Sequence, residues 1–333
     1  MGSKRELADT IIECIQKTSG IPEVFFDVFL GTGAVSAACA NAGVKKIIAN
    51  DNLLANTVIF RGSVMSDDKA IKQAESLVGY CNSLDGKCGY LCSHFAGTYF
   101  TKENCMKMDS IRDEIEEQYI SGYISEAVYH YLLAGFLLQT DRVANTLGQY
   151  DAYMKHLGEG EYRNGRHVSD RRIYETFSLV PVEQLPPVET EVYTADALCI
   201  ADKITADTIY IDPPYNTRQY STNYHLLENI ARWEKKPVTG KTKKIDLDWL
   251  KSPFSSLRQA KTAMRELFSK MNSGNMYLSY SSEGILSFAE IEEILKEYDL
   301  QKVWEIPYPV FGGGAGVSRK RTVIEYLFYC RKS

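Results

Sequence analysis

Ile209-Tyr210-Ile211-Asp212-Pro213-Pro214-Tyr215-Asn216 is the stretch on which the fold of this 333-residue chain turns. The apolar, β-branched run from Thr208 to Ile211 predicts a buried strand. It stops at a carboxylate, two prolines and an aromatic ring. Proline cannot continue a ladder and holds the residue before it extended. The strand is therefore expected to end in a stiff tip carrying Asp212, Pro213, Pro214 and Tyr215 side by side. In open α/β sheets, ligands bind at such carboxyl ends.

That tip suits one chemistry. An exocyclic amine on a nucleobase is a poor nucleophile, because its lone pair is delocalised into the ring. Two acceptors on its N–H bonds would localise the lone pair, and Asp212 with the Pro213 carbonyl forms such a pair. Tyr215 is placed to stack on a base swung out of a helix. Positioning comes first, and the surplus proton leaves after transfer. Without further support, the same residues describe a strand ending in a proline turn.

Upstream, Val24 to Phe29 predicts a second buried strand, running into Leu30-Gly31-Thr32-Gly33-Ala34-Val35-Ser36 and a small-residue helix. Gly31 and Gly33 allow close backbone approach to a ligand, and a helix start favours an anionic group. A lone Gly-x-Gly is equally a tight turn. It departs from the dinucleotide fingerprint, since Ser36 stands at the third small position. A strand from Lys46 ends at Asn50-Asp51. Asp51 follows Gly31 by about 20 residues, where a carboxylate gripping ribose hydroxyls falls.

Asp-Pro-Pro-Tyr at 212–215, with Asp27-x-Phe29-x-Gly31-x-Gly33 before it, resembles the signature of S-adenosylmethionine-dependent methyltransferases of adenine N6 in DNA. The likeness runs from Gly2 to Tyr329 with the motifs in family order. It implies a methyltransferase-type, Rossmann-like α/β fold, mostly parallel, with an antiparallel strand near the C-terminus. It assigns cofactor contacts to Lys4, Asp27, Phe29, Gly31, Gly33, Asp51, Asp196 and Asp212, and catalysis to Asp212, Pro213, Pro214 and Tyr215. Lys4 enters because Gly2-Ser3-Lys4 resembles the family's N-terminal motif, which an aromatic often precedes; here only Met1 does, so either that function is weakened or supplied elsewhere, or the start is shortened or tag-derived. No metal is expected, since the methyl donor is already an activated sulfonium.

Between residues 56 and 190 the strand–helix rhythm breaks. Thr101 begins one helix, and Ser125 caps a second that Gly148 is expected to end. Dam-like enzymes place a target-recognition domain here, which predicts a catalytic domain of residues 1–55 and 190–333 and a mainly helical insertion of 56–189. Tyr99-Phe100-Thr101, Asp141 to Tyr150 and Thr217 to Glu228 are similar to the FokI-type modification enzymes. Candidate DNA contacts are Arg163, Arg166, Arg171 and Arg172, then Arg218, Tyr220 and Asn223 at the lip of the base pocket, with Tyr224 and His225 beside them. Lys241 and Lys243 in a basic loop, and Arg319 and Arg321 after a glycine-rich run, complete the set. Taken singly, each of the basic clusters reads more readily as a solvated loop.

The net charge of −5 does not describe a nonspecific nucleic-acid binder, though local basic clusters remain. No apolar run approaches the length of a membrane span, and the first residues lack a secretory core, so a prokaryotic cytoplasm is expected. Cys81, Cys88, Cys92 and Cys105, with His94, are spaced irregularly; buried free thiols are expected there rather than zinc or disulfides. The expected activity is methylation of a flipped adenine in double-stranded DNA, as the modification arm of a restriction system with a separately encoded endonuclease. Methylation of structured RNA, and a non-catalytic DNA- or partner-binding protein on the same fold, are the alternatives.

Overall fold

Strand β1, Val24–Asp27, has parallel neighbours on both sides, and that double pairing organises the sheet. The computed structural model describes residues 4–65, 67–146, 148–154, 162–163, 166–167, 171–311 and 320–332. At 162–163, 166–167, 171, 309–311 and 320–321 it describes the backbone alone. The chain divides into two compact units: Leu53–Pro187 with Ser221–Trp249, and Gly2–Asn52 with Val188–Tyr220 and Leu250–Ser333.

The second unit holds a seven-stranded sheet. Its other strands are β2 (Lys46–Asp51), β3 (Glu189–Thr194), β4 (Thr208–Ile211), β5 (Asn275–Ser281), β6 (Leu300–Phe311) and β7 (Lys320–Arg331). Their order is β6-β7-β5-β4-β1-β2-β3. β3, β2, β1, β4 and β5 pair in parallel, and β7 runs antiparallel between β5 and β6. The chain thus proceeds outward from β1 through β2 to β3, then returns to the far side of β1 as β4. The strand order reverses between β1 and β4, and at such a reversal the carboxyl ends splay into a crevice.

Alternation along the strands sorts the two faces. Phe26, Ile48, Ile209, Ile211, Met276, Leu278 and Phe328 join an apolar core with Met264, Leu267 and Phe268 of the helix Ala260–Lys270 and with Ile291 and Ile294 of Phe288–Leu295. The opposite face carries Asp27, Tyr210, Ser279 and Glu325 among apolar neighbours. Register sets this, since Asp27 pairs with Tyr210, Tyr210 with Tyr277, and Leu327 with Ser279. On this face Thr18 and Ser19, in the last turn of the helix Ala8–Ser19, bond the Tyr277 hydroxyl at 2.7 and 2.8 Å.

The other unit is helical: Leu54–Ser63, Asp68–Ser83, Tyr90–Phe95, Lys102–Ile120, Glu126–Val143 and His225–Arg232. Thr101 and Ser125 cap their helices through Asn104 N and Val128 N. The helix from Glu126 stops at Val143 and does not reach Gly148. Asn145 explains the early stop. Its side chain donates to the carbonyls of Thr98 and Met154 and its amide to Tyr99 O, which draws the backbone out of the helical path.

Residues 221–249, assigned from sequence to the catalytic domain, group with the helical unit. The helix His225–Arg232 is anchored there at its middle and at its exit. Glu228 accepts from the amides of Leu54 and Ala55 at 3.1 and 3.0 Å, satisfying donors at another helix's start. The buried Arg112 guanidinium donates to the carbonyls of Ile230 and Ala231 at its exit, stacks over Trp233 and pairs with Glu116. The predicted basic loop is folded in part as a short ribbon, Val238–Thr239 against Lys244–Ile245.

Cys88 and Cys92, expected as free thiols, are joined in a disulfide. Asp109 causes the approach: its carboxylate accepts from the amides of Gly89, Leu91 and Cys92 and folds that segment into a tight turn. Cys81 and Cys105 are buried free thiols, and burial pushes Cys81 up to about 12. Among the described residues no cluster of His, Cys, Asp and Glu could hold a metal ion, and no helix is long and apolar enough to cross a membrane.

Candidate active site

The carboxyl end of β1 is shaped by glycine. Gly31 and Gly33 take φ of 53° and 72°, left-handed values that a side chain disfavours. Gly33 N donates to Leu30 O, and the helix Ala34–Asn41 begins at once. Gly31 N donates to Asp51 Oδ2 at 2.8 Å, so the carboxylate ending β2 also fixes the turn. Ser36, one turn into the helix, donates to Asp27 Oδ2 at 2.7 Å and ties the helix start to the strand end. Asn50 works across three strands. Its side chain donates to Val28 O and Ala195 O and accepts from Ala195 N. Neither Ser36 nor Asn50 was singled out for such a role; a buried polar residue within an apolar segment was the only available signal.

At the adjoining end of β4 stands the proline corner. Pro213 is buried, and Asp212 retains 18% exposure. Tyr215 is fixed by its carbonyl, which accepts from Ile285 N at 2.8 Å, and by its ring, set edge-on to Tyr280 at 5.8 Å. The Lys4 ammonium lies 5.3 Å from the Tyr215 ring centre, within cation–π range.

Lys4 also links this corner to β7. Its ammonium donates to Glu325 Oε1 at 2.5 Å and stands 3.3 Å from Asp212 Oδ1. Ser279 on β5 donates to the same Glu325 oxygen at 2.6 Å. Asp27 Oδ1, Asp212 Oδ1 and Glu325 Oε2 are buried with no aligned hydrogen bond reaching them. Burial lifts the Asp212 carboxyl to about 7; the Lys4 charge opposes the rise and the Glu325 charge adds to it. Burial likewise lifts Asp27 to about 7, with Ser36 opposing and the charges of Asp212 and Asp51 adding. Burial works to lower Lys4, but Asp212 and Glu325 outweigh it and leave it raised.

Two carboxylates, Asp212 and Glu325, share one lysine here, and Asp27 adds its charge beside Asp212. Fully ionised, the group carries surplus negative charge in a desolvated place, with three acceptor atoms unsatisfied. Such a site favours a cationic ligand, a donor of hydrogen bonds, or both. Glu325 was missed from sequence, although one signal was there. It occupies an inward register position in β7, between Val323 and Leu327, where an apolar residue belongs.

The other predicted contacts fall as follows. Phe29 stands edge-on to Phe254 at 5.2 Å. Asp196, half-buried, caps the short helix Ala197–Ile200 through Leu198 N at 2.8 Å. Arg172, Arg218 and Lys241 are exposed, and Tyr220 and Lys243 half-buried. Asn223, Tyr224 and His225 are buried in the helical unit. Tyr150 N donates to Asn223 O, and His225 Nε2 bonds Tyr150 O at 2.7 Å. All three pack inside the helical unit, with His225 bonding across it. Arg319 lies outside the described residues, as do the side chains of Arg163, Arg166, Arg171 and Arg321.

Residues 1–294 match the D12 class N6 adenine-specific DNA methyltransferases. The chain is 33% identical to the modification methylase StsI of Streptococcus sanguinis, an alignment that takes in 100% of this chain and 51% of that protein. It is 30% identical to the type II methyltransferase M.FokI of Planomicrobium okeanokoites, covering 100% of this chain and 52% of that one. The chain thus spans about half the length of these two relatives. Against the type II methyltransferase M.NlaIII of Neisseria lactamica it is 30% identical, covering 100% of this chain and 99% of that one. With that match from end to end, and with an acidic proline corner and a glycine turn ending adjacent strands at the sheet's reversal, the chain belongs to the D12 class N6 adenine-specific DNA methyltransferase family.

Proposed function

We propose that this chain is a site-specific DNA adenine methyltransferase that moves a methyl group from S-adenosylmethionine to N6 of an adenine flipped out of double-stranded DNA. The observation that carries the proposal is the placement of Asp212 and the glycine turn at the ends of adjacent parallel strands, β4 and β1, where the strand order reverses. Modification within a restriction system, alongside a separately encoded endonuclease, is the role we assign it.

The site's own residues suit the cofactor. Asp51 would hold the ribose hydroxyls, and Phe29 and Asp196 the adenine ring. The left-handed turn at Gly31 and Gly33 admits close backbone approach. The unsatisfied acceptors of Asp27 and Asp212 answer its positive charges. When bound, S-adenosylmethionine supplies a methyl group already activated on a sulfonium.

The chain's task is to prepare the amine. Asp212 and the Pro213 carbonyl accept its two N–H bonds, which localises the nitrogen lone pair and aims it. Tyr215 stacks on the base face and offsets part of the unstacking cost. Transfer leaves one proton too many on N6. The Asp212 carboxylate, with its pKa near 7, can hold that proton without becoming a permanent sink.

The direct test is incubation of the purified chain with labelled S-adenosylmethionine and duplex DNA, followed by mapping of modified adenines. Label at N6 within one sequence context is expected. Label on structured RNA with none on duplex DNA would reassign the substrate. No binding of S-adenosylmethionine by calorimetry at high concentration would return the chain to a non-catalytic role.

A further inference from the structure

We propose that Glu325 is a positioning residue for methyl transfer: it draws the Lys4 ammonium onto itself and so leaves Asp212 an open acceptor for the target amine. The inference rests on the adenine-N6 function proposed above. Lys4 forms an ion pair with both carboxylates, and its contacts are unequal. It reaches Glu325 at 2.5 Å in an aligned hydrogen bond, and stands in a longer, weaker contact with Asp212 at 3.3 Å. Ser279 fixes the Glu325 carboxylate from β5 at 2.6 Å, so the end that holds Lys4 is itself held.

Charge makes this arrangement necessary. A lysine hydrogen-bonded to Asp212 would occupy an acceptor that the amine needs. It would also set an uncompensated positive charge beside a sulfonium and a nitrogen that becomes cationic on transfer. With Glu325 as its nearer partner, the same ammonium can remain beside the Tyr215 ring, 5.3 Å from its centre. There it packs the aromatic wall while its charge is matched. Asp212 is faced electrostatically by Lys4 from the N-terminal turn, Glu325 from β7, Tyr210 from its own strand, Tyr215 from the corner, Tyr308 from β6 and Asp27 from β1. Of these, only Lys4 is a cation.

Glu325→Gln keeps the shape and removes the charge. Lys4 then has Asp212 as its remaining carboxylate. The expected loss in kcat is about 100-fold, the scale of misplacing a reacting group by an ångström, with KM for DNA unchanged. The acid limb of the kcat profile should move to lower pH, because Glu325's charge raises Asp212 and Lys4's lowers it. Lys4→Met should move the same limb to higher pH. A purely structural role for Glu325 would reduce the active fraction and leave the limb in place.

An unmoved limb in Glu325→Gln, a shift in the same direction as Lys4→Met, or unaltered kcat overturns the proposal. If Glu325→Gln does not fold, Lys4→Met decides alone: a limb that stays or falls overturns it, and one that rises supports it. Wild-type turnover separates the two levels. No adenine methylation by the wild type overturns both this inference and the function beneath it. An active wild type with an unaffected Glu325→Gln variant overturns this inference only.

Discussion

Asp212 is the residue on which chemistry and electrostatics meet. On the function proposed for the chain, replacing it with Ala removes one acceptor from the amine and should cost at least about 100-fold in kcat, the scale of losing a preorganised polar group. DNA binding should persist, because phosphate contacts dominate affinity. Near-normal turnover in a single-turnover methylation assay would remove Asp212 from its role. Its pKa of about 7 adds a second expectation. The carboxylate accepts only when ionised, so kcat should fall about tenfold per pH unit below that value, as single-group titration requires. A flat profile between pH 5 and 8 would mean that Asp212 does not titrate during turnover. Asp212, Gly31 and Asp51 were legible in the chain because local grammar encodes each: a strand stop, a turn, a strand end. Glu325 was not, because its role depends on Lys4, 321 residues away, and on a sheet register that only the fold supplies.

At the scale of elements, the strands around the site were read closely, since buried parallel strands announce themselves as continuous apolar runs. The helical unit was harder. Its helices bury polar groups as well as apolar ones, such as Arg112, Asp109 and Asn104, which blurs the periodic pattern. The segment after Tyr220 groups with the helical unit, which its sequence conceals for the same reason. Glu228 and Arg232 look like surface charges until Glu228 is seen to satisfy a helix start, with Arg232 donating to it. Glycine spacing exposes the tightest helix contact. A Cβ on Gly62 would stand 2.5 Å from Ala134 Cβ and 2.9 Å from His130 O, so the helices Leu54–Ser63 and Glu126–Val143 meet almost backbone to backbone. Gly62→Ala should destabilise the protein by about 1–3 kcal/mol, the usual cost of overpacking, despite alanine's better helix propensity. Urea unfolding would check this; a stability gain would show that the two helices can separate at little cost.

Across the whole molecule, the formal charge of −5 counts every carboxylate as ionised. The site departs from that count, because Asp27 and Asp212 both rest near 7 against an ordinary 3.8. Their contribution to stability is fully present below about pH 4 and is lost as pH rises toward 7, where the unfolded chain releases protons that the buried site retains. A bound cation reverses the preference by favouring the ionised carboxylates. Binding of S-adenosylmethionine should therefore release protons and tighten as pH climbs through 7. The fold class was legible from strand and glycine-turn order, but this linkage was not, because it arises from burial and the sequence shows only two unremarkable aspartates. The rise in melting temperature produced by saturating S-adenosylmethionine should be larger at pH 8 than at pH 6. S-adenosylhomocysteine has lost the sulfonium charge, so its shift should depend on pH much less. Asp27→Asn should bring the two ligands' pH dependences closer together. Equal shifts at both pH values for S-adenosylmethionine would mean that its charge is met elsewhere, and that the Asp27 and Asp212 carboxylates do not face it.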